Sequence, residues 1–131
     1  MSDINIGAIT ETLNDKLDRD LRNVDTTTGA DVVIDYQAPT AENGYTWYRK
    51  YKSGWVEQGG QSSNSNNSGV LVTLAVAMAS TDYTILVAPV NGAGYGTSGY
   101  GGDNRTTTTF KVYCNNNGGR PSWWVVCGMA A

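Results

Sequence analysis

The sequence predicts a mainly β protein in which an N-terminal α-helical coiled-coil stalk leads into an antiparallel β-sandwich. Composition changes sharply near residue 25: residues 1–25 hold half of the 12 acidic residues and no aromatic one. Every Trp, Tyr, Phe, Pro and Cys lies after that point. The first part has helical apolar spacing, and the second has short apolar runs between turn-forming residues. We therefore divide the chain into a stalk (1–25), a linker (26–31) and a knob (32–131).

The stalk has apolar residues at intervals of three and four, the period of a helix. These residues are Ile6, Ile9, Leu13, Leu17, Leu21 and Val24. They follow an eleven-residue repeat better than a heptad, which favours a straight or slightly right-handed bundle. A lone helix of this kind is marginal in water, so the apolar stripe needs a partner. Charged residues on both flanks favour self-association; folding back onto the knob is the alternative.

Seven strands are predicted in the knob, separated by turns rich in Gly, Ser and Asn, a pattern typical of an antiparallel sandwich. They span residues 32–36, 45–51, 55–58, 70–76, 83–90, 106–114 and 122–129. If successive strands alternate in direction, every second loop lies at the end distant from the stalk. That places residues 38–44, 61–69 and 91–105 at the distal end, and residues 53–54, 79–81 and 115–120 near the stalk.

The four tryptophans are predicted to serve packing. Trp47 and Trp55 flank a tight turn, and we expect both in the core. Trp123 and Trp124 are adjacent, so on a strand they point to opposite faces. One of these two is expected in the core, and the other is either at a subunit interface, which we favour, or exposed.

Little in the composition supports catalysis or cofactor binding. The chain has no histidine, the commonest general base and metal ligand. The knob's carboxylates are scattered, whereas glycosidases place two across one sugar bond. Cys114 and Cys127 are too few for a disulfide framework or a zinc site. If residues 106–129 form a hairpin, the two sulfurs lie too far apart to bridge, so both thiols should be free. No cofactor, no metal and no enzymatic activity are expected.

Charge and hydropathy narrow the class of partner. With 9 basic and 12 acidic residues, the chain lacks the basic surplus that phosphate contacts require, so nucleic acid is not an expected partner. No apolar run is long enough to span a bilayer as a helix. The N-terminus lacks the pattern of a signal peptide, so folding in a cytoplasm is expected.

Residues Tyr45–Gly60 read Y-T-W-Y-R-K-Y-K-S-G-W-V-E-Q-G-G. This run resembles the C-terminal knob of bacteriophage tail fibre proteins, with its aromatic strand, its S-G-W turn and its V-E-Q-x-G strand. Gly59 stands where many members of that family have Trp. The Trp-rich last strand, the small-residue tail and the segment Leu13–Leu21 are also similar. The resemblance implies a homotrimeric fibre tip that attaches the virion to its host and is assembled in the host cytoplasm.

The expected function is therefore attachment to a host bacterial surface receptor, either a glycan or a protein, without catalysis. Tyr and Arg are typical anchors of recognition surfaces, and Tyr–Gly–Ser mixtures make adaptable contacts. The candidate contact residues are Tyr95, Tyr100, Arg105, Asn64, Asn66 and Asn67. Two alternatives are a purely structural decoration or baseplate trimer and a glycan depolymerase.

The stalk generates a first prediction, that the chain is a parallel homotrimer in solution, with a mass by light scattering of three chains. Leu13→Asp or Leu17→Asp should weaken assembly, because each places a charge in a buried apolar seam. Ser2→Asp, outside the stripe, is the control and should leave the mass unchanged. A monomeric unmodified chain at micromolar concentration would contradict the prediction.

Overall fold

The computed structural model describes residues 31–90, 99–115 and 120–131. All named elements in these ranges are strands: β1 (Val33–Gln37), β2 (Trp47–Tyr51), β3 (Trp55–Gln61), β4 (Val70–Thr73), β5 (Thr84–Pro89), β6 (Tyr100–Asp103), β7 (Thr109–Cys114) and β8 (Ser122–Met129). The stalk residues and the first five residues of the linker lie outside the described ranges. No helix in the described part is long and apolar enough to cross a membrane.

The strands form two antiparallel sheets. A five-stranded sheet has the order β1-β2-β3-β8-β5, and a three-stranded sheet has the order β4-β7-β6. The two sheets pack face to face, and Phe110 of β7 meets Trp124 of β8 edge-on with ring centroids 5.4 Å apart. The prediction of an all-β antiparallel knob is confirmed for the described residues.

The topology corrects the sequence prediction at two places. Residues 100–103, predicted as part of a long loop, form β6. Glycine-rich sequence usually indicates a loop, but here the glycine permits close packing: a Cβ added at Gly102 would lie 2.5 Å from Cγ2 of Ile85. The predicted hairpin of residues 106–129 is also wrong, because β7 pairs with β4 and β6 whereas β8 pairs with β3 and β5.

The core is built from the inward side chains of four strands, β3, β4, β7 and β8, and of the segment between β4 and β5. It consists of Val56, Val72, Leu74, Met78, Tyr83, Phe110, Val112, Trp124 and Val126. The expectation that Trp47 and Trp55 fill the core is wrong: both lie on the outward face of the five-stranded sheet. Trp47 instead covers Gly59, where an added Cβ would meet its Nε1 atom at 2.5 Å.

Gln58 is fully buried on the inward face of β3. Its Nε2 donates to the carbonyl oxygen of Val76 at 2.8 Å, and its Oε1 accepts from the backbone N–H of Val76 at 3.0 Å. The chain leaves the three-stranded sheet after Thr73. The Gln58 amide then makes the two hydrogen bonds to the Val76 backbone that a neighbouring strand would otherwise make. This pairing fixes the crossing from β4 to β5.

Neither Cys114 nor Cys127 forms a disulfide bond, as expected. Cys114 ends β7 and is buried between the sheets, whereas Cys127 lies on β8 opposite Glu57 and Thr84. They are separated because they belong to different sheets, not because they lie at distant points of one hairpin.

Gln58 generates the second prediction. Gln58→Leu should lower the free energy of unfolding by about 1–3 kcal/mol, because a part-buried N–H and carbonyl of Val76 lose their partners. Urea unfolding monitored by tryptophan fluorescence measures this. Gln61→Leu on the same strand, where no side-chain hydrogen bond is lost, should cost at most about 1 kcal/mol. Equal costs for the two variants would show that the amide pairing contributes nothing.

Candidate recognition surface

The strand registers define two ends of the sandwich. At one end, Asp31 accepts hydrogen bonds from the backbone N–H and the hydroxyl of Ser53, at 3.1 and 2.5 Å. This is the entry end, where the preceding chain joins the knob. Residues 52–54, 74–83 and 104–108 connect strands there, because Trp55 pairs with Met129 and Thr84 with Cys127.

The opposite end, which we call the loop end, gathers the other connections. Gln61 pairs with Trp123 and Pro89 with Ser122, so β3 and β5 end where β8 begins. Residues 38–46 and 62–69 connect strands there, and so do the segments that flank residues 91–98 and 116–119. Two of the three loops predicted at the distal end, residues 38–44 and 61–69, do lie there.

The predicted grouping of loops at the two ends is wrong for two segments. β6 was not predicted, and this additional strand reverses the end at which every later connection lies. Arg105, grouped with the distal loops, lies at the entry end. Its guanidinium donates to the carbonyl oxygen of Tyr83 and stands 5.5 Å from the centre of that ring. Conversely, the connection of residues 115–120 was placed near the stalk, but its two described ends, Asn115 and Arg120, lie at the loop end, where the carbonyl oxygen of Arg120 accepts from the N–H of Ser65 at 3.2 Å.

The first loop, residues 38–46, is held by reciprocal hydrogen bonds. The N–H of Thr40 donates to Oδ1 of Asn43 at 2.9 Å, and the N–H of Asn43 donates to Oγ1 of Thr40 at 3.2 Å. Nδ2 of Asn43 also donates to the carbonyl of Ala38 at 3.0 Å. Tyr45 adopts a positive φ of 57°, which is uncommon for a residue with a bulky side chain. Its ring packs edge-on against Trp123 with centroids 5.5 Å apart.

The second loop, residues 62–69, is more ordered than its Ser- and Asn-rich sequence suggests. Ser62 and Ser65 are buried, and the N–H of Ser62 donates to the carbonyl of Ser122 at 2.8 Å. Asn66 closes the turn: its Oδ1 accepts from the N–H of Ser68 at 2.9 Å, and its carbonyl accepts from the N–H of Cys114 at 2.9 Å. Asn64 and Asn67 are exposed. Asn66 therefore positions the loop while Asn64 and Asn67 face outward.

Of the two candidate tyrosines in the Gly-rich segment, Tyr100 lies within the described residues. Tyr95 lies outside the described residues. Tyr100 begins β6 opposite Cys114 and is half-buried. A hydrogen bond with the Cys114 thiol raises the pKa of Tyr100, with a smaller contribution in the same direction from burial. Tyr100 thus lies at the loop end but packs partly inward.

An open groove of about 470 Å³ lies beside the loop end. It is lined by Tyr36–Pro39 and Trp47–Arg49, where β1 and β2 meet the first loop. Trp47 and Arg49, which line the groove, lie on the outward face of β2. Across the described ranges, no group of three or more His, Cys, Asp or Glu residues could hold a metal ion.

Comparisons with known proteins identify a shared fold. No model of a protein family matches the chain, and no curated protein matches it. Two solved structures do: an N-truncated R2-type pyocin tail fibre and a C-terminal fragment of the R2 pyocin fibre of P. aeruginosa. Each has a TM-score of 0.60 and 18% identity over 79% of this chain. The match covers 40% of the first structure and 28% of the second, so this chain corresponds to less than half of either.

The reciprocal bonds of the first loop generate the third prediction. Asn43→Ala should raise amide hydrogen exchange at Thr40 and Tyr45 by about ten- to thirtyfold, because two side-chain hydrogen bonds worth about 1 kcal/mol each are lost. Glu42→Ala, next to it and exposed, is the matched control and should leave exchange unchanged. Unaltered exchange in Asn43→Ala would show that the loop is ordered by other contacts.

Proposed function

We propose that this chain is the tip of a bacteriophage tail fibre, and that its loop end binds a receptor on a bacterial surface, either a glycan or a protein. The chain assembles as a parallel homotrimer through Ile6, Ile9, Leu13, Leu17, Leu21 and Val24 in residues 1–25. It acts by binding, without catalysis, as part of a virion assembled in the host cytoplasm.

The observation that carries the proposal is the separation of the two ends of the sandwich. The preceding chain enters at Asp31, anchored to Ser53 at the entry end. The most polar loops meet at the opposite end, as an attachment tip requires. The fold shared with the pyocin tail fibre fragments is consistent with that placement.

Within the loop end, the exposed amides of the second loop are the leading contact candidates. Asn64 and Asn67 project outward from a turn that Asn66, Ser62 and Ser65 hold in place. A backbone fixed beforehand reduces the entropy lost on binding. Tyr95 stays a candidate from its sequence context, and Tyr100 is a candidate at the margin of the surface. Arg105 is withdrawn from the contact set because it lies at the entry end.

The fourth prediction tests the loop end directly. Fluorescently labelled full-length chain is screened for binding to a panel of bacterial strains, and a binding strain is used for affinity measurements. Asn64→Ala combined with Asn67→Ala should weaken binding by about tenfold or more. Thr81→Ala combined with Thr107→Ala removes two exposed side chains at the entry end and should bind like the unmodified chain.

Other outcomes separate the alternatives. Equal binding by both double variants would remove the second loop from the site. A folded trimer that binds none of the strains would favour the purely structural virion part. Release of reducing sugar from a strain's surface polysaccharide would favour the depolymerase.

A further inference from the structure

The two outward faces of the sandwich differ in character. On the three-stranded sheet, the outward side chains of β7 and its neighbours are mainly polar or small, including Thr73, Asp103, Thr109 and Lys111, with Leu71 and Tyr113 as exceptions. The outward face of the five-stranded sheet instead carries Trp47, Trp55, Trp123, Met129 and Leu86. We call this second surface the aromatic face. Within the described ranges, Tyr45 packs edge-on against Trp123 at one margin of this face, while Trp55, Trp123, Met129 and Leu86 remain exposed.

The exposure of the aromatic face is large for a surface in water. Trp123 is 41% exposed, Met129 49% and Leu86 61%, and they lie on the adjacent strands β8 and β5. A contiguous exposed apolar patch of this kind marks an interaction site, whereas single exposed apolar residues are ordinary.

The β1–β2 hairpin extends the same face beyond the core. No residue of β1 or β2 belongs to the buried core cluster, yet Val33 and Tyr36 are exposed on it. β2 also pairs with β3, so these residues belong to the five-stranded sheet, and Val33 and Tyr36 stay exposed at its outer edge. A partner packed against this face would bury them.

We propose that the aromatic face is the contact surface between knobs, covered in solution by a second copy of this chain. The inference rests on the trimer of the proposed function and identifies the surface through which its knobs meet. It requires copies to approach laterally, which parallel chains joined at their entry ends do.

The dimensions of the face favour another knob over the chain's own N-terminal segment. Five strands spaced about 4.8 Å apart span roughly 19 Å. The single helix predicted for residues 6–24 would be about 10–12 Å across with its side chains and would leave much of that width uncovered.

The charges of the face also permit contact between like surfaces. Its charged residues within the described ranges are Arg49 and Glu57, which face each other across β2 and β3. Their opposite charges leave the face without net charge, although the whole chain carries a net charge of −3. Copies meeting there would not repel each other through this face.

Two leucines provide a matched test, because Leu86 on the aromatic face and Leu71 on the opposite outward face are each 61% exposed in the single chain. Leu86→Cys and Leu71→Cys are made separately in a Cys127→Ala background, and Cys114 is already buried. Each full-length variant is treated with a fluorescent maleimide under native conditions, and its mass is measured by light scattering on the same sample. The rate at which the thiol reacts then reports how much of that face is covered.

In the trimer, Leu86→Cys should react at least about tenfold more slowly than Leu71→Cys, because thiol reactivity depends on access. Met129→Cys, at a second position on the aromatic face, should be protected in the same way. A variant that becomes monomeric only when the aromatic face is altered would also support the inference.

Three outcomes would overturn it. A trimer with equal rates at positions 86 and 71 would leave the proposed trimer intact and place its contacts elsewhere. A monomeric unmodified chain would refute the trimer itself. A monomer in which Leu86→Cys is protected would show that the chain's own N-terminal segment covers the face.

Discussion

The pairing between the Gln58 side chain and the backbone of Val76 is the constraint on which the sandwich depends. After Thr73 the chain leaves the three-stranded sheet and must reach the start of β5 in the other sheet. Residues on this path include Leu74 and Met78, which lie deep in the core. Their backbone groups cannot stay unpaired there, because burying them without a partner is costly. The N–H groups of Leu74 and Met78 donate to the carbonyl oxygens of Thr108 and Thr107. Between them, the Gln58 amide pairs with both backbone groups of Val76.

The same principle explains why a glutamine and a glycine in the V-E-Q-x-G run have structural roles. Gln58 satisfies the crossing segment, and Gly60 allows the ring of Trp124 to approach, since an added Cβ would lie 3.0 Å from it. Neither role requires contact with a ligand. The residues that carry the family resemblance therefore build the core and hold the crossing from β4 to β5. Residues that determine what the knob contacts must instead be sought in the loops.

The sequence predicted the knob well where periodicity was strong. The positions of β1, β2, β3, β4, β5, β7 and β8 follow from alternating or continuous apolar runs bounded by turn residues, although β4 ends at Thr73 and not at residue 76. β6 could not be predicted in this way, because it consists of two glycines between Tyr100 and Asp103 and has no apolar pattern. Gly102 is required by its close approach to Ile85, a relation between residues far apart in sequence. One missed strand then reversed the assignment of the following loops, which is why Arg105 and the 115–120 connection were misplaced.

The candidate surface was predictable in outline but not in detail. Polar loops at one end followed from strand alternation, which held through β5. That Asn66 would be a structural residue and Asn64 an exposed one could not be inferred, because both occur in the same S-N-S-N-N run. The prediction for the aromatic residues of β2 and β3 was also wrong, since Trp47 and Trp55 were expected in the core and lie on the outward face. Hydrophobicity indicates that a side chain will be covered but not whether its own chain covers it.

The hydrogen bonds that hold the loop end together determine which of its residues can be substituted. Its loops are joined largely through main-chain groups: Gln61 to Gly44, Ser62 to Ser122 and Ser65 to Arg120. Main-chain hydrogen bonds of this kind are indifferent to the identity of neighbouring outward side chains. Exposed residues such as Asn64 and Asn67 can therefore be substituted without breaking these main-chain hydrogen bonds. The outward chemistry of this end can therefore change one residue at a time, with little loss of stability at each step.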